Sequence, residues 1–134
     1  MVQRLVLDAS AGVEILNRIS AGVQLARMLE QPDSEVWTVE HFHLEVAKVL
    51  RRDVLTGDLD DANATELVAR LAGWQLHVAR VAPLLVEAWK LRHNLIVHDA
   101  LYVALARQLD ATLVTGDKRL ARAPALKIRT RTMT

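Results

Sequence analysis

The residues best suited to chemistry are acids that recur where one structural element hands over to the next. His98 to Leu120, HDALYVALARQLDATLVTGDKRL, holds two of them. Asp99 opens a stretch in which Ala100, Leu101, Ala104, Leu105 and Leu109 recur at helical spacing, which predicts a helix over 99–109. A turn at Asp110 leads into a short strand over 112–114, and Thr115-Gly116-Asp117 ends at the mouth of another helix. If that strand runs parallel to its neighbours, its carboxyl end carries Asp117 to the ligand-binding rim of an open α/β sheet.

Two further acids have similar addresses. Asp8 follows the apolar run Gln3 to Leu7 and precedes a helix over 11–19, for which Ser10 is a plausible N-cap. Glu45 lies near the start of a strong helix, EHFHLEVAKVLRRDVL, at the edge of the apolar stripe Phe42, Val46, Val49 and Leu50. Each acid has a local explanation: Asp8 as a helix cap, Asp99 as an N-cap, Asp117 in a Gly-Asp turn, and Glu45 paired with Lys48 or Arg52. Together they imply a converging set of carboxylates. Such a set repels itself unless a cation neutralises it, and hard oxygen donors suit Mg2+ or Mn2+.

The elements that must position these acids follow from the rest of the chain. Ser20-Ala21-Gly22 marks a break before a second helix carrying Val23, Ala26, Met28 and Leu29, which Gln31-Pro32-Asp33 ends. Val36 to Val39 is β-prone. Thr56-Gly57-Asp58 closes the Glu45 helix, and a further helix runs over 60–72 to Gly73. A strand over 75–79, a helix over 84–91 behind Pro83, and a last strand over 126–130 complete the order. Strands alternating with helices predict an α/β fold with a mostly parallel sheet. Trp37, Trp74 and Trp89 are read as core.

Composition sets the outer limits. The 134 residues suit one domain over 1–134, able to bury about two-thirds of its extended-chain surface. Hydrophobic residues at 51% and charged residues at 25% are ordinary for a globular protein. The absence of Cys removes disulfides and thiolate metal sites and suggests a reducing cytoplasm. No signal peptide is visible, and the longest apolar run, Val81 to Val86, is too short to span a membrane. Net charge is only +1, yet residues 118–134 carry six of the 17 basic side chains and no acid. Lys118, Arg119 and Arg122 there are candidates for holding a polyanion, or simply a solvated segment. HExxH, GxGxxG, P-loop and GxSxG patterns are all missing, and His41-x-His43 diverges on a helix. Ser10 and Thr115 are able to position a carboxylate or a phosphate, although capping accounts for both.

LVLDAS at Asp8, HLEVAKVLRR at Glu45, HDALYVALARQL at Asp99 and LVTGDKRL at Asp117 carry a resemblance. In order and spacing the chain resembles PIN-domain ribonucleases, specifically the VapC toxins of type II toxin–antitoxin modules, over essentially its whole length. The resemblance implies a five-stranded parallel sheet flanked by helices, a homodimer, and a cognate VapB antitoxin that blocks the site. The family's four acidic positions fall on Asp8, Glu45, Asp99 and Asp117, and its Ser/Thr near the last acid falls on Thr115. His98 stands where an aromatic is frequent, and Gly116 where a small side chain often lies. The resemblance implies RNA cleavage by water activated on Mg2+ or Mn2+, with Asp8, Asp99 and Asp117 as ligands and Glu45 as ligand or base. Two other readings are open: a phosphatase or phosphotransfer domain using Asp8 as nucleophile, or a non-catalytic α/β interaction module. The first normally wants a second Asp two residues on, where Ser10 stands.

Overall fold

In the computed structural model, which describes residues 2–123 and 126–132, the opening apolar run forms the central strand β1 (Gln3–Leu7). Leu5, Val6 and Leu7 are all buried, so both faces of this strand are covered. Next come α1 (Ala9–Asn17), α2 (Ile19–Glu30), β2 (Ser34–Val39), α3 (Phe42–Thr56), α4 (Asp61–Ala72) and β3 (His77–Ala79). A 3-10 turn (Ala82–Leu84) and α5 (Leu85–Trp89) precede α6 (Val97–Leu109), β4 (Thr112–Thr115), α7 (Lys118–Ala121) and β5 (Thr130–Thr132).

The five strands are ordered β3-β2-β1-β4-β5, and every pairing is parallel. The chain winds outward from β1 to β3, returns through α6, and builds β4 and β5 on the other side. The strand order therefore reverses between β1 and β4, the place where open α/β sheets bind ligands beyond their carboxyl ends. Leu7 pairs with Val114, which brings Asp8 and Thr115-Gly116-Asp117 to the same rim.

Two helices carry the remaining acids against this rim. α6 is buried from Ala100 through Ala106, and its alanines let it lie close to the sheet. α3 turns Phe42, Val46 and Leu50 inward, each fully buried apolar side chain contributing about 1.5–3 kcal/mol. Its inner face meets α1 at Gly12, where a Cβ would lie 2.7 Å from the Phe42 ring. Gly57 ends α3 at φ 85, a left-handed cap that glycine adopts without strain.

Several boundaries differ from the sequence reading. The first helix stops at Asn17 because Arg18 is extended (φ −128, ψ 125), and Ser20 to Gly22 lie inside α2 instead of breaking it. The stretch expected as one helix over 84–91 divides into the 3-10 turn and α5. α6 begins at Val97, two residues before Asp99. The last strand is shifted to 130–132, where Leu113, Val114 and Thr115 offer it partners. Trp89 is not core: it is 57% exposed, with the Arg92 guanidinium 5.1 Å from its ring. Trp37, only part-buried, stacks on His77, and Trp74, also part-buried, packs near Phe42. Of the basic segment 118–134, residues 124–125 and 133–134 lie outside the described residues, as does residue 1.

Candidate active site

Asp8 leaves β1 in an extended conformation and is itself the N-cap of α1, its Oδ1 accepting from the Ala11 amide at 2.9 Å. This replaces the expectation that Ser10 caps the helix. Ser10, already inside α1, turns its hydroxyl to Asp8 Oδ1 at 2.6 Å. With Asp8 ionised, Ser10's single proton is committed to that carboxylate. Ser10 Oγ is then an acceptor, taking the Gly116 amide at 2.8 Å and the Thr115 hydroxyl at 3.1 Å. Thr115 Oγ1 accepts in turn from the Asp117 amide at 3.0 Å. This chain of hydroxyls ties the ends of β1 and β4 together. It also accounts for Gly116, where a Cβ would lie 3.0 Å from the Ser10 carbonyl.

Asp8 is only 2% exposed. Burial pushes its carboxyl up to about 6, against the pull of the Ser10 and Thr115 hydroxyls and the Ala11 amide, and the charge of Asp99 adds to the rise. Asp117 caps α7, its Oδ1 accepting from the Arg119 and Leu120 amides at 2.9 and 3.3 Å.

Asp99 is not an N-cap. Ile96 holds that position without a side-chain bond, and Asp99 sits in the first turn of α6. It is half-buried, and no donor among the described residues bonds its carboxylate. Burial raises its pKa first, and the charges of Glu45 and Asp117 raise it further. The four acids therefore act on one another: Asp8 feels Asp99, and Asp99 feels Glu45 and Asp117.

Glu45 has other partners than those expected. Lys48 and Arg52 do not reach it; Arg52 turns to Asp53 at 3.6 Å. Instead Tyr102 donates its phenol to Glu45 Oε1 at 2.7 Å, and His41 Nε2 lies 3.1 Å from the same oxygen. Burial acts to raise the Glu45 pKa, but the hydrogen bonds from His41 and Tyr102 outweigh it and hold the carboxyl below its ordinary value. Sequence reasoning missed both residues. His41 precedes Glu45 by four positions and Tyr102 follows Asp99 by three, spacings that put each beside an acid on its own helix. A cavity of about 330 Å³ opens against Glu45, lined also by Lys48, Val49 and Arg52.

Among the described residues no three Asp, Glu or His side chains form a ready-made cage. The chemistry nonetheless fits Mg2+, which takes one or two carboxylates and keeps several waters. Every donor is a hard oxygen, Asp99 has no competing hydrogen bond, and neighbouring charges already disfavour its ionised form.

Comparison with known proteins places the chain: residues 5–126 match the PIN domain family. The chain belongs to the PIN-domain family. This PIN domain is 37% identical over 123 residues to Ribonuclease VapC1 of Mycobacterium tuberculosis, covering 90% of this chain and 91% of the relative. Ribonuclease VapC12 of the same organism is 34% identical over 117 residues, covering 87% and 89%. Among solved structures, a protein from Pyrobaculum aerophilum superposes with a TM-score of 0.76 at 19% identity, over 98% of this chain and 92% of that one. VapBC2 from Rickettsia felis, bound to a DNA fragment from its promoter, gives 0.70 at 17% identity over 98% and 100%. At these identities the solved structures establish the fold of this PIN domain: a five-stranded parallel sheet flanked by helices.

Proposed function

We propose that this PIN domain, working as one unit over residues 1–134, is a Mg2+- or Mn2+-dependent endoribonuclease: the toxin of a toxin–antitoxin pair restrained by a VapB-type antitoxin. The observation that carries the reading is the mutual opposition of the acids. Burial raises both Asp99 and Asp8, and beyond it Asp99 is raised by the charges of Glu45 and Asp117 and Asp8 by that of Asp99, so the fold holds like charges together at a cost in stability. A cation removes that cost, and an interaction module has no use for it. The VapC ribonuclease relatives support RNA as the substrate class.

Asp8, Asp99 and Asp117, with Glu45, would hold the ion. Bound there, Mg2+ would supply positive charge to the scissile phosphate and acidify a water for attack. Glu45, held ionised by its two donors, serves as ligand or as proton acceptor. Ser10 and Thr115 keep Asp8 and the Asp117 amide in register across the strand gap. Cleavage of a single-stranded RNA with and without Mg2+ tests the reading. Neutralising any one of the four acids should abolish most turnover. RNA left intact by the wild-type protein in Mg2+ would overturn it.

Lys118, Arg119 and Arg122 are exposed around α7, directly after Asp117, and their side chains make no hydrogen bond or ion pair among the described residues. Arg122 also lines a cavity of about 480 Å³ with Arg107, Lys127 and Arg129. Lys118, Arg119 and Arg122 are suited to RNA phosphates, whereas Arg129 in that cavity is already paired with Asp110. Neutralising Lys118, Arg119 and Arg122 together should weaken RNA binding and flatten its log–log salt slope by about 2, at roughly 0.7 per phosphate contact for single strands. An unchanged slope would assign them to solubility.

Apolar side chains remain uncovered on several helices: Ile19 and Val23 on α2, Val68 on α4, and Leu85, Val86 and Trp89 on α5. A second copy of the chain and an antitoxin are the proposed covers. Light scattering should show a dimer at micromolar concentration, and a strict monomer would refute it. Co-expression with the neighbouring upstream open reading frame should yield a stable complex; failure to co-purify would remove the antitoxin. Among the described residues no helix is long and apolar enough to cross a membrane. The reading implies a cytoplasmic protein with no membrane partner.

A further inference from the structure

Glu45 is held more elaborately than an ion pair on a helix surface requires. Two donors from different elements, Tyr102 on α6 and His41 at the start of α3, converge on one oxygen, Oε1, at 2.7 and 3.1 Å. Oε2 accepts no hydrogen bond from any described residue. Neither donor is free to wander. The Tyr102 ring is 1% exposed, and the His41 ring stacks on it with centroids 4.6 Å apart and planes 29° from parallel. His41 Nε2 is shared: it also lies 3.1 Å from the carbonyl of His98, the residue before Asp99. One imidazole N–H therefore links the helix that bears Glu45 to the turn that bears Asp99.

This arrangement carries a structural cost. His41 Nδ1 is buried with no partner among the described residues, so the ring satisfies its outward nitrogen and leaves the other unpaired. A buried polar atom left unpaired lowers stability, and a leucine or methionine at position 41 would avoid it. The compensation has to come from what Nε2 does.

We propose that Tyr102 and His41 are positioning residues that fix Glu45 by one oxygen, so that its other oxygen is presented to a divalent cation shared with Asp99. This rests on the reading of Glu45 and Asp99 as cation ligands. A free glutamate must lose rotamer freedom when it binds an ion; one already clamped has lost it during folding. Partners behind a ligand also orient it, and their removal commonly weakens metal affinity or activity 10–100-fold.

The experiment measures Mg2+ binding alone, by calorimetric titration of the full chain without RNA, for wild type, Tyr102→Phe, His41→Leu, His41→Gln, Glu45→Gln and Asp99→Asn. Tyr102→Phe keeps the buried ring and removes only the donor. It should weaken Mg2+ binding about 10-fold. His41→Leu should do the same. His41→Gln, which keeps an N–H at similar reach, should recover most of the affinity. In a Glu45→Gln background Tyr102→Phe should change affinity less than twofold, because its effect passes through the carboxylate. An equal loss in both backgrounds would make Tyr102 a structural residue and overturn the proposal. Wild-type affinity in Tyr102→Phe and His41→Leu, with weakened binding in Glu45→Gln, would overturn the clamp and leave the metal reading intact. Wild-type affinity in Glu45→Gln and Asp99→Asn would overturn both.

Discussion

Asp99→Asn is expected to lower RNA cleavage by about 100-fold or more while leaving the metal-free protein as stable as wild type, or more so. The substitution keeps the side chain's shape and removes one charge. In the wild type that charge is half-buried, accepts no hydrogen bond among the described residues, and is opposed by Glu45 and Asp117. Its removal relieves the opposition. Since Ile96 and not Asp99 occupies the N-cap of α6, no cap is lost. The only stabilising loss is the favourable interaction of an acid with the first turn of a helix, about 0.3–1 kcal/mol. On the proposed reading cleavage should fall because the cation would lose a ligand from the middle of the set. The response to Mg2+ should separate the two proteins. At ten times its dissociation constant, Mg2+ should stabilise the wild type by about 1.4 kcal/mol, a rise in melting temperature of roughly 5 °C. The variant should gain little at the same concentration. Melting curves with and without Mg2+, run beside a cleavage assay, check all three points. Full cleavage by Asp99→Asn would sink the metal-site reading.

The second large effect belongs to Asp8 and to pH. Its folded-state carboxyl titrates at about 6, above the ordinary 3.8, so the folded protein binds this proton more tightly than the unfolded chain does. Stability from this group is therefore greatest at low pH and is lost as pH rises from 3.8 through about 6. The shift corresponds to roughly 3 kcal/mol between the two limits. Asp99, also raised, acts in the same direction. Glu45 and Glu35 act in the opposite one: the first is held low by His41 and Tyr102 despite its burial, the second by Trp37 and Arg4. Their contributions are lost as pH falls below the ordinary glutamate value of 4.5. Calorimetry of the metal-free protein should thus show the melting temperature rising as pH falls from neutral toward about 4, and falling again only below 3.8, where the gain from Asp8 is complete and the losses at Glu45 and Glu35 continue. Asp8→Asn should melt higher than wild type at neutral pH and lose most of the rise on acidification, because an amide oxygen still accepts from Ser10 and Ala11. Saturating Mg2+ should flatten the rise in wild type, since cation and proton compete for the same carboxylates. A melting temperature that stays level or drops between neutral pH and 5 would contradict the assignment.

The sequence by itself determined the architecture and the placement of the acids. Continuous apolar runs such as Leu5-Val6-Leu7, alternating with helical periodicity, demand a parallel sheet covered on both faces, and the structure has five parallel strands. Asp8 follows a β-prone run directly and Asp117 follows one after Gly116, so in a parallel sheet chain order carries both to the carboxyl rim. Periodicity is a local property, and these features depend on little else. Tertiary structure decided what each side chain touches. Ser10, an eligible N-cap by type, yields that position to Asp8 and bridges instead to Thr115 and Gly116, 105 and 106 residues away. The extended backbone at Asp8 already delivers a carboxylate to the Ala11 amide, which frees the Ser10 hydroxyl for the strand across the gap. Glu45 has cations within helical reach at Lys48 and Arg52, yet it bonds Tyr102, 57 residues distant, because α3 turns that edge toward α6. Asp99 lies in the first turn of α6 because the helix starts at Val97, a boundary set by packing and not by any capping residue. The acids are legible in one dimension because each lies at a junction of elements or in the first turn of a helix. Their donors are not, because a hydrogen bond between helices depends on how the helices pack, and the spacing of residues along either one does not encode it.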